Sequence, residues 1–268
     1  MQGRQAQYIK EKVKERYGKI ALTGNSDCCC VPGECCNDTG ISSHPSAIQS
    51  TKLIGYDAKD MDSIPEASVL GVGCGAPTKF AEIREGETIV DLGSGAGIDA
   101  FLAANKVGKT GKVIGVDMTH EMLEKARKNA NDNGYTNVKF VKGDIERRIP
   151  VEDNAADLVM SNCVINLTAD KVAAFKEIYR ILKNDGGRMV ISDLVTDREG
   201  DKDSVNPEKW CSCIDGALIK KNYLDSIRKA GFKNVEILEE KAYTEETGEN
   251  DRDIKRKISS LLIKAVKH

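Results

Sequence analysis

Nine cysteines stand among 268 residues, and their thiols are the side chains best equipped for chemistry. Five crowd together as Cys28-Cys29-Cys30 and Cys35-Cys36, while Cys74, Cys163, Cys211 and Cys213 are dispersed. Nine in 268 falls well below the roughly 8–10% of a disulfide scaffold. In a reducing compartment such thiols serve metals or catalysis more often than crosslinks. Five thiols within nine residues that also hold Pro32 and Gly33 cannot all face a core. Four residues separate Cys30 from Cys35, a spacing tolerable for half a tetrahedral zinc site, but no second Cys or His pair follows at finger spacing. A site built from Cys74, Cys163 and Cys213 would offer three soft sulfur ligands, and thiolates select thiophilic ions.

A second constellation begins at Thr88-Ile89-Val90-Asp91-Leu92, which reads as a buried strand running into Gly93-Ser94-Gly95-Ala96-Gly97 and then a helix near Asp99. Glycines let the backbone turn sharply beside a ligand, and the helix start offers unpaired amides. The dinucleotide fingerprint wants Gly or Ala where Ile98 stands, so pyrophosphate is poorly matched. Asp91 can hold an ammonium, Asp117 at the next strand end can accept ribose hydroxyls, and Asp144 in Gly143-Asp144-Ile145 can reach an adenine amine. Three strand-end acids around a glycine turn suit a cationic, amino-acid-bearing nucleoside such as S-adenosylmethionine. Gly71 to Gly75, the other glycine-rich stretch, follows too short a strand and precedes Pro77. It reads as a loop that positions Cys74.

The elements that must carry these groups follow from periodicity. Residues 5–17 form an amphipathic helix through Ile9, Val13 and Tyr17, and Gly24 ends the pattern. Beyond Gly86, Val- and Ile-rich strands at 88–92, 112–117, 138–141, 157–161 and 188–192 alternate with helices at 121–133 and 170–182. That alternation implies a doubly wound, mostly parallel sheet with right-handed crossovers. Strands at 235–238 and 260–266 add a terminal hairpin with one antiparallel strand at or near an edge, which brings the sheet to seven strands. The charged stretch 239–257 reads as solvated surface with some helix.

Parallel sheets bind ligands at their carboxyl edge, where Cys163 follows the strand 157–161. Cys213 falls in a helix opened by Asn206 as N-cap and Pro207, which places Trp210, Cys213 and Ala217 on one face and turns Cys211 away. Lys plus Arg number 40 against 42 for Asp plus Glu, so no basic excess exists to neutralise nucleic-acid phosphates. No apolar run approaches the roughly 20 residues of a membrane span, and the N-terminus lacks an apolar signal region. A cytoplasmic protein without membrane or nucleic-acid partners is expected.

The strings Asp117-Met118-Thr119, Gly143-Asp144-Ile145-Glu146, Ser161-Asn162-Cys163-Val164-Ile165-Asn166-Leu167 and Ile191-Ser192-Asp193 closely resemble the arsenite S-adenosylmethionine methyltransferases. Gly73-Cys74-Gly75-Ala76-Pro77 and Cys213-Ile214-Asp215-Gly216-Ala217-Leu218 look like that family's remaining thiol motifs, with Ala76 where the family carries Asn. The resemblance implies a class I, Rossmann-like methyltransferase domain over 85–268. A substrate-covering insertion would lie at 193–222, and the N-terminal helix and Cys-rich loops of 1–84 would cap the site. It implies Cys163, Cys213 and Cys74 as ligands of trivalent arsenic, with Cys30 or Cys29 as an N-terminal partner in binding or disulfide exchange. The nucleoside would meet Asp91, Gly93, Ser94, Gly95, Asp117, Met118, Asp144, Ile145 and Asn162. The implied partners are S-adenosylmethionine, arsenite or thiol-bound trivalent arsenicals, and thioredoxin or small thiols as reductant, acting on a monomer. Two rival readings come from the residues themselves. One is a small-metabolite C-, O- or N-methyltransferase with structural or zinc-binding cysteines and His120 as base. The other is a non-catalytic metal-binding protein centred on 28–36.

Overall fold

The computed structural model describes residues 3–24, 46–198, 210–247 and 254–268. The Cys28–Cys36 cluster and the expected cap at Asn206-Pro207 lie outside them. Helix α1 (Gly3–Thr23) exceeds the expected 5–17 because Ile20 and Ala21 prolong the buried face of Ile9 and Val13. It stops at Gly24, whose φ of 69° breaks the helical pattern. Two short capped helices follow, α2 (Ala47–Leu53) and α3 (Ala58–Asp62). Each begins with a capping box, Ser46 with Gln49 and Asp57 with Asp60.

The parallel core comprises β1 (Thr88–Leu92), β2 (Lys112–Asp117), β3 (Val138–Lys142), β4 (Leu158–Asn162) and β5 (Arg188–Thr196). Helices α4 (Ile98–Val107), α5 (His120–Asp132), α6 (Lys171–Ile181) and α7 (Lys220–Lys229) cover its faces. A two-residue strand β6 (Leu218–Ile219) pairs with β5, and β7 (Asn234–Thr247) and β8 (Ile254–Val266) form the long terminal hairpin. The order is β3-β2-β1-β4-β5-β8-β7, with β8 antiparallel to β5. The seven expected strands are therefore present, and β6 makes an eighth. The charged stretch 239–257 was expected to carry some helix, but Glu239 to Thr247 extend β7. Continuous pairing with β8 outweighs helix propensity there, and Glu and Lys along the edge strand discourage further pairing.

Strand order reverses between β1 and β4. There the crossovers diverge and leave a crevice at the carboxyl ends. One core lies under α6 and α7 around Phe175, Ile178 and Tyr223. The opposite core, around Phe101 and Phe140, also takes Tyr56, Ile64, Val69 and Ala76, so 54–76 are packed into the sheet's own interior. The expected insertion at 193–222 overlaps regular elements at both ends. Asp193 to Thr196 belong to β5, and 218–222 to β6 and α7, because their backbones are paired or helical. No helix among the described residues is long and apolar enough to cross a membrane.

Candidate active site

At the crevice, a cavity is lined by the glycine turn (Gly93, Gly95), the β2 end (Asp117, Met118, Thr119), the β3 end (Asp144, Ile145, Glu146) and the β4 end (Asn162, Cys163, Val164). Gly93 has φ 67°, and a Cβ there would meet Val164 Cγ2 at 2.2 Å. Only glycine lets the turn approach the β4 loop this closely. Asp117 is held by two backbone amides, Gly95 N on Oδ2 at 2.9 Å and Thr119 N on Oδ1 at 2.8 Å. These bonds oppose the burial that raises its pKa.

Asp91 and Ser94 are not on the cavity wall. Asp91 lies beneath the turn, 2% exposed, and its Oδ2 has no hydrogen-bond partner. Burial, with Asp99 and Asp117 nearby, pushes its pKa well above the usual carboxylate range. An orphaned buried acceptor of this kind fits a cationic ligand group arriving from outside. Ser94 turns its hydroxyl toward Gly115 on β2, also without a partner, so its side chain is structural.

Helix α1 closes the cavity mouth, a part that sequence reasoning left to the cap as a whole. Lys10, Val13 and Tyr17 line the cavity, and Lys10 Nζ sits 2.8 Å from both Asp144 and Glu146. The clamp joins residues 134 positions apart, so no local signal could reveal it.

Three of the dispersed thiols converge beside this cavity. Cys74, Cys163 and Cys213 share one buried cluster with Leu194, Ile214 and Tyr243. Cys163 is 8% exposed and stands on the cavity wall. The sulfurs of Cys74 and Cys163 and an oxygen of Asp193 lie within 4.8 Å of one another, and Cys213 Sγ donates to Cys163 O at 3.0 Å. Burial pushes the Cys163 thiol well up in pKa, and the adjacent Cys213 and Cys74 add to the shift. Cys163 (φ 60°) and Cys213 (φ 65°) both occupy the left-handed region. That costs a side-chain-bearing residue on the order of 1 kcal/mol and persists only where the surroundings enforce it.

The expected helix face does not deliver Cys213. Helical structure after Trp210 and Cys211 gives way to turns, and the left-handed residue at 213 swings its sulfur to Cys163. Trp210 and Cys211 turn the other way, against Ile9 and Val13 of α1.

Asn162 joins cavity and thiols. Its Oδ1 accepts from Cys74 N at 3.0 Å, and its Nδ2 donates to Gly75 O at 2.7 Å, Tyr56 OH at 3.0 Å and Asp99 Oδ2 at 3.3 Å. Gly73 (φ 124°) is required where the loop passes this amide, since a Cβ would lie 2.9 Å from Nδ2. Tyr56 OH donates to both Asp99 oxygens at 2.7 and 2.8 Å. Burial raises Asp99 to about 6, against the pull of these hydrogen bonds.

Tyr56, Asp99 and Asp193 escaped the sequence reading. Asp193 stands toward the carboxyl edge on β5 and was reachable by the logic applied to Asp91, Asp117 and Asp144. Tyr56 carried no such signal. His120, the base a small-metabolite transferase would need, is exposed and absent from the cavity wall.

The comparisons agree with this geometry. A family model described as a methyltransferase domain matches residues 83–231. The arsenite methyltransferase of Halobacterium salinarum is 41% identical over 98% of this chain and 68% of its own length. The chain belongs to the arsenite methyltransferase family. A second family member, from Aquipseudomonas alcaligenes, is 34% identical over 87% of the chain and 64% of its own length. The crystal structure of an arsenic(III) S-adenosylmethionine methyltransferase from Chlamydomonas reinhardtii superposes with a TM-score of 0.65 at 34% identity, covering 84% of this chain and 75% of that one. The chain thus spans about two thirds of the length of these curated relatives.

Proposed function

We propose that the protein transfers methyl groups from S-adenosylmethionine to trivalent arsenic captured by Cys74, Cys163 and Cys213. One observation carries this reading: Cys163 stands on the wall of the nucleoside-type cavity while its sulfur belongs to the thiol cluster. The cavity residues fit the donor. On the cavity wall, Asp117 would accept the ribose hydroxyls and Asp144 with Ile145 would meet the adenine, while Asp91, buried off the wall, keeps an unpartnered oxygen that draws the ammonium inward. S-adenosylmethionine supplies an electrophilic methyl on a sulfonium.

Burial raises the pKa of the Cys163 thiol, which suits capture of arsenite by the protonated sulfur without a base. In each exchange an S–As bond forms, S–H and As–O bonds break, and the proton leaves with the hydroxyl as water. Arsenic bound through sulfur keeps its lone pair, and that pair attacks the methyl carbon in line, so no acceptor proton must be removed. The chain's contribution is orientation, which is worth roughly 7–11 kcal/mol in favourable cases. Methylation formally oxidises arsenic by two electrons. Two thiols return them by closing a disulfide, and an external reductant, thioredoxin or a small thiol, reopens it. Cys29 or Cys30 is proposed as the N-terminal partner in that exchange.

Replacing Cys163 with Ser tests the reading. Mass spectrometry after incubation with arsenite, donor and a thiol should find no methylated arsenic, while calorimetry finds nucleoside binding unchanged. Product formed at the parental rate would refute the thiol mechanism.

A further inference from the structure

The thiol cluster holds a ligand that trivalent arsenic does not need. Asp193 is fully buried, and a carboxylate oxygen of it lies within 4.8 Å of the sulfurs of both Cys74 and Cys163. Three donors fix its orientation: Asn166 N and Tyr223 OH reach Oδ2, each at 3.0 Å, and Leu194 N reaches Oδ1 at 3.1 Å. A carboxylate has about four acceptor positions, so these bonds leave capacity on Oδ1. Lys171, the buried cation of this region, does not engage it directly. Its Nζ donates to the carbonyls of Asn166 and Thr168 at 3.4 and 3.2 Å, and lies 5.6 Å from the centre of the Trp210 ring.

Two sulfurs and one oriented carboxylate, each no more than 8% exposed, are a mixed ligand set. A purely thiophilic centre has no use for the oxygen, whereas borderline-soft divalent cations bind both atom types, at about 2.3 Å to sulfur and about 2.0–2.2 Å to oxygen. Ligand atoms at those bond lengths around a tetrahedral ion stand roughly 3.3–3.8 Å apart. Side-chain rotation of about 1 Å would close the present spacing onto an ion.

We propose that Cys74, Cys163 and Asp193 form a binding site for a divalent cation of the zinc type, sharing two sulfurs with the arsenic site but differing from it by the carboxylate. Two metal–sulfur bonds and one metal–oxygen bond form, the two thiol protons and any proton held by Asp193 pass to solvent, and no electron is transferred. The occupied site carries one net negative charge, facing Lys171. A filled-shell cation has no lone pair to give to a methyl group, so while bound it occupies the thiols unproductively. That last consequence rests on the methyl-transfer reading, but the binding itself does not.

The test uses the full chain with Cys28, Cys29, Cys30, Cys35 and Cys36 changed to Ser, so that only the buried thiols report. Zinc alone is titrated against a chromophoric chelator, and the loaded protein is studied by X-ray absorption. The expected result is one zinc per chain in a shell containing both sulfur and oxygen. Asp193→Asn, which preserves shape and keeps one of the two acceptor oxygens, should weaken zinc binding about tenfold or more while arsenite affinity stays within about threefold. An all-sulfur shell, an unchanged zinc affinity in Asp193→Asn, or no zinc bound would overturn the proposal. The absorption spectrum decides even if Asp193→Asn fails to fold. Zinc binding here, together with an unsubstituted chain that methylates no arsenic, would sink the methyl-transfer reading and leave this site standing.

Discussion

Changing Asn162 to Ala removes one side chain from the junction of cavity and thiols, and its effect can be worked from the bonds it makes. Two main-chain groups of the Cys74 loop depend on it, the Cys74 amide at 3.0 Å and the Gly75 carbonyl at 2.7 Å. A buried polar group left without a partner costs about 1–3 kcal/mol, so the closed loop should lose at least about 2 kcal/mol relative to an opened one. Each 1.4 kcal/mol is tenfold in an equilibrium, so local opening becomes roughly 30-fold more frequent. Cys74, 5% exposed when closed, should then be alkylated roughly 30-fold faster, read by peptide mass spectrometry under conditions where reclosing outpaces labelling. Cys211, 3% exposed against α1, provides the internal control and should label at its parental rate. Cys74 labelling within about threefold of the parent would refute the claim that Asn162 holds the loop. Equal acceleration at both cysteines would mean global loosening, which refutes it equally.

Three further outcomes follow from the same geometry. Lys10→Met removes the clamp onto Asp144 and Glu146, so nucleoside dissociation measured by stopped flow should accelerate several-fold, on the order of 1 kcal/mol, and become less sensitive to salt. Gly93→Ala drives a methyl group into Val164, so calorimetry should show nucleoside binding lost while the circular dichroism of the fold persists. Asp193 is raised by burial from 3.8 to about 7, so the folded chain retains a proton there that the unfolded chain has released. Its contribution is full below about pH 4 and is lost as pH rises through about 7, and in Asp193→Asn the urea midpoint should lack that component of decline across this window. An identical pH profile in parent and variant would contradict burial as the cause of the raised pKa at that position.

Much of the sheet was legible because its signals are local. Val and Ile runs mark β1 and β2 to the residue, and the glycine turn after β1 follows directly from residue type. Cys163 could be placed because a residue just past a parallel strand must emerge at the carboxyl edge. Cys213 was assigned to the pocket for the wrong reason. A helix face was inferred, whereas a left-handed residue forced by packing delivers the sulfur. The stretch 239–247 misled because its charges mimic a solvated helix, while pairing with β8, many residues later, decides its conformation. Ser94 was counted among ligand contacts on motif position alone, and its hydroxyl turns inward.

The sequence by itself determined the alternation of strands and helices, the glycine turn, and which residue types were available for soft-ion chemistry, since these rest on periodicity and on atoms within a few residues of one another. Only the tertiary structure decided which thiols meet, that α1 shuts the cavity through Lys10, that Tyr56 and Asp99 brace the Cys74 loop, and that a carboxylate stands beside the sulfurs. Those contacts join segments tens to more than a hundred residues apart, and their energies exist only after the chain has closed those loops and expelled water from between them.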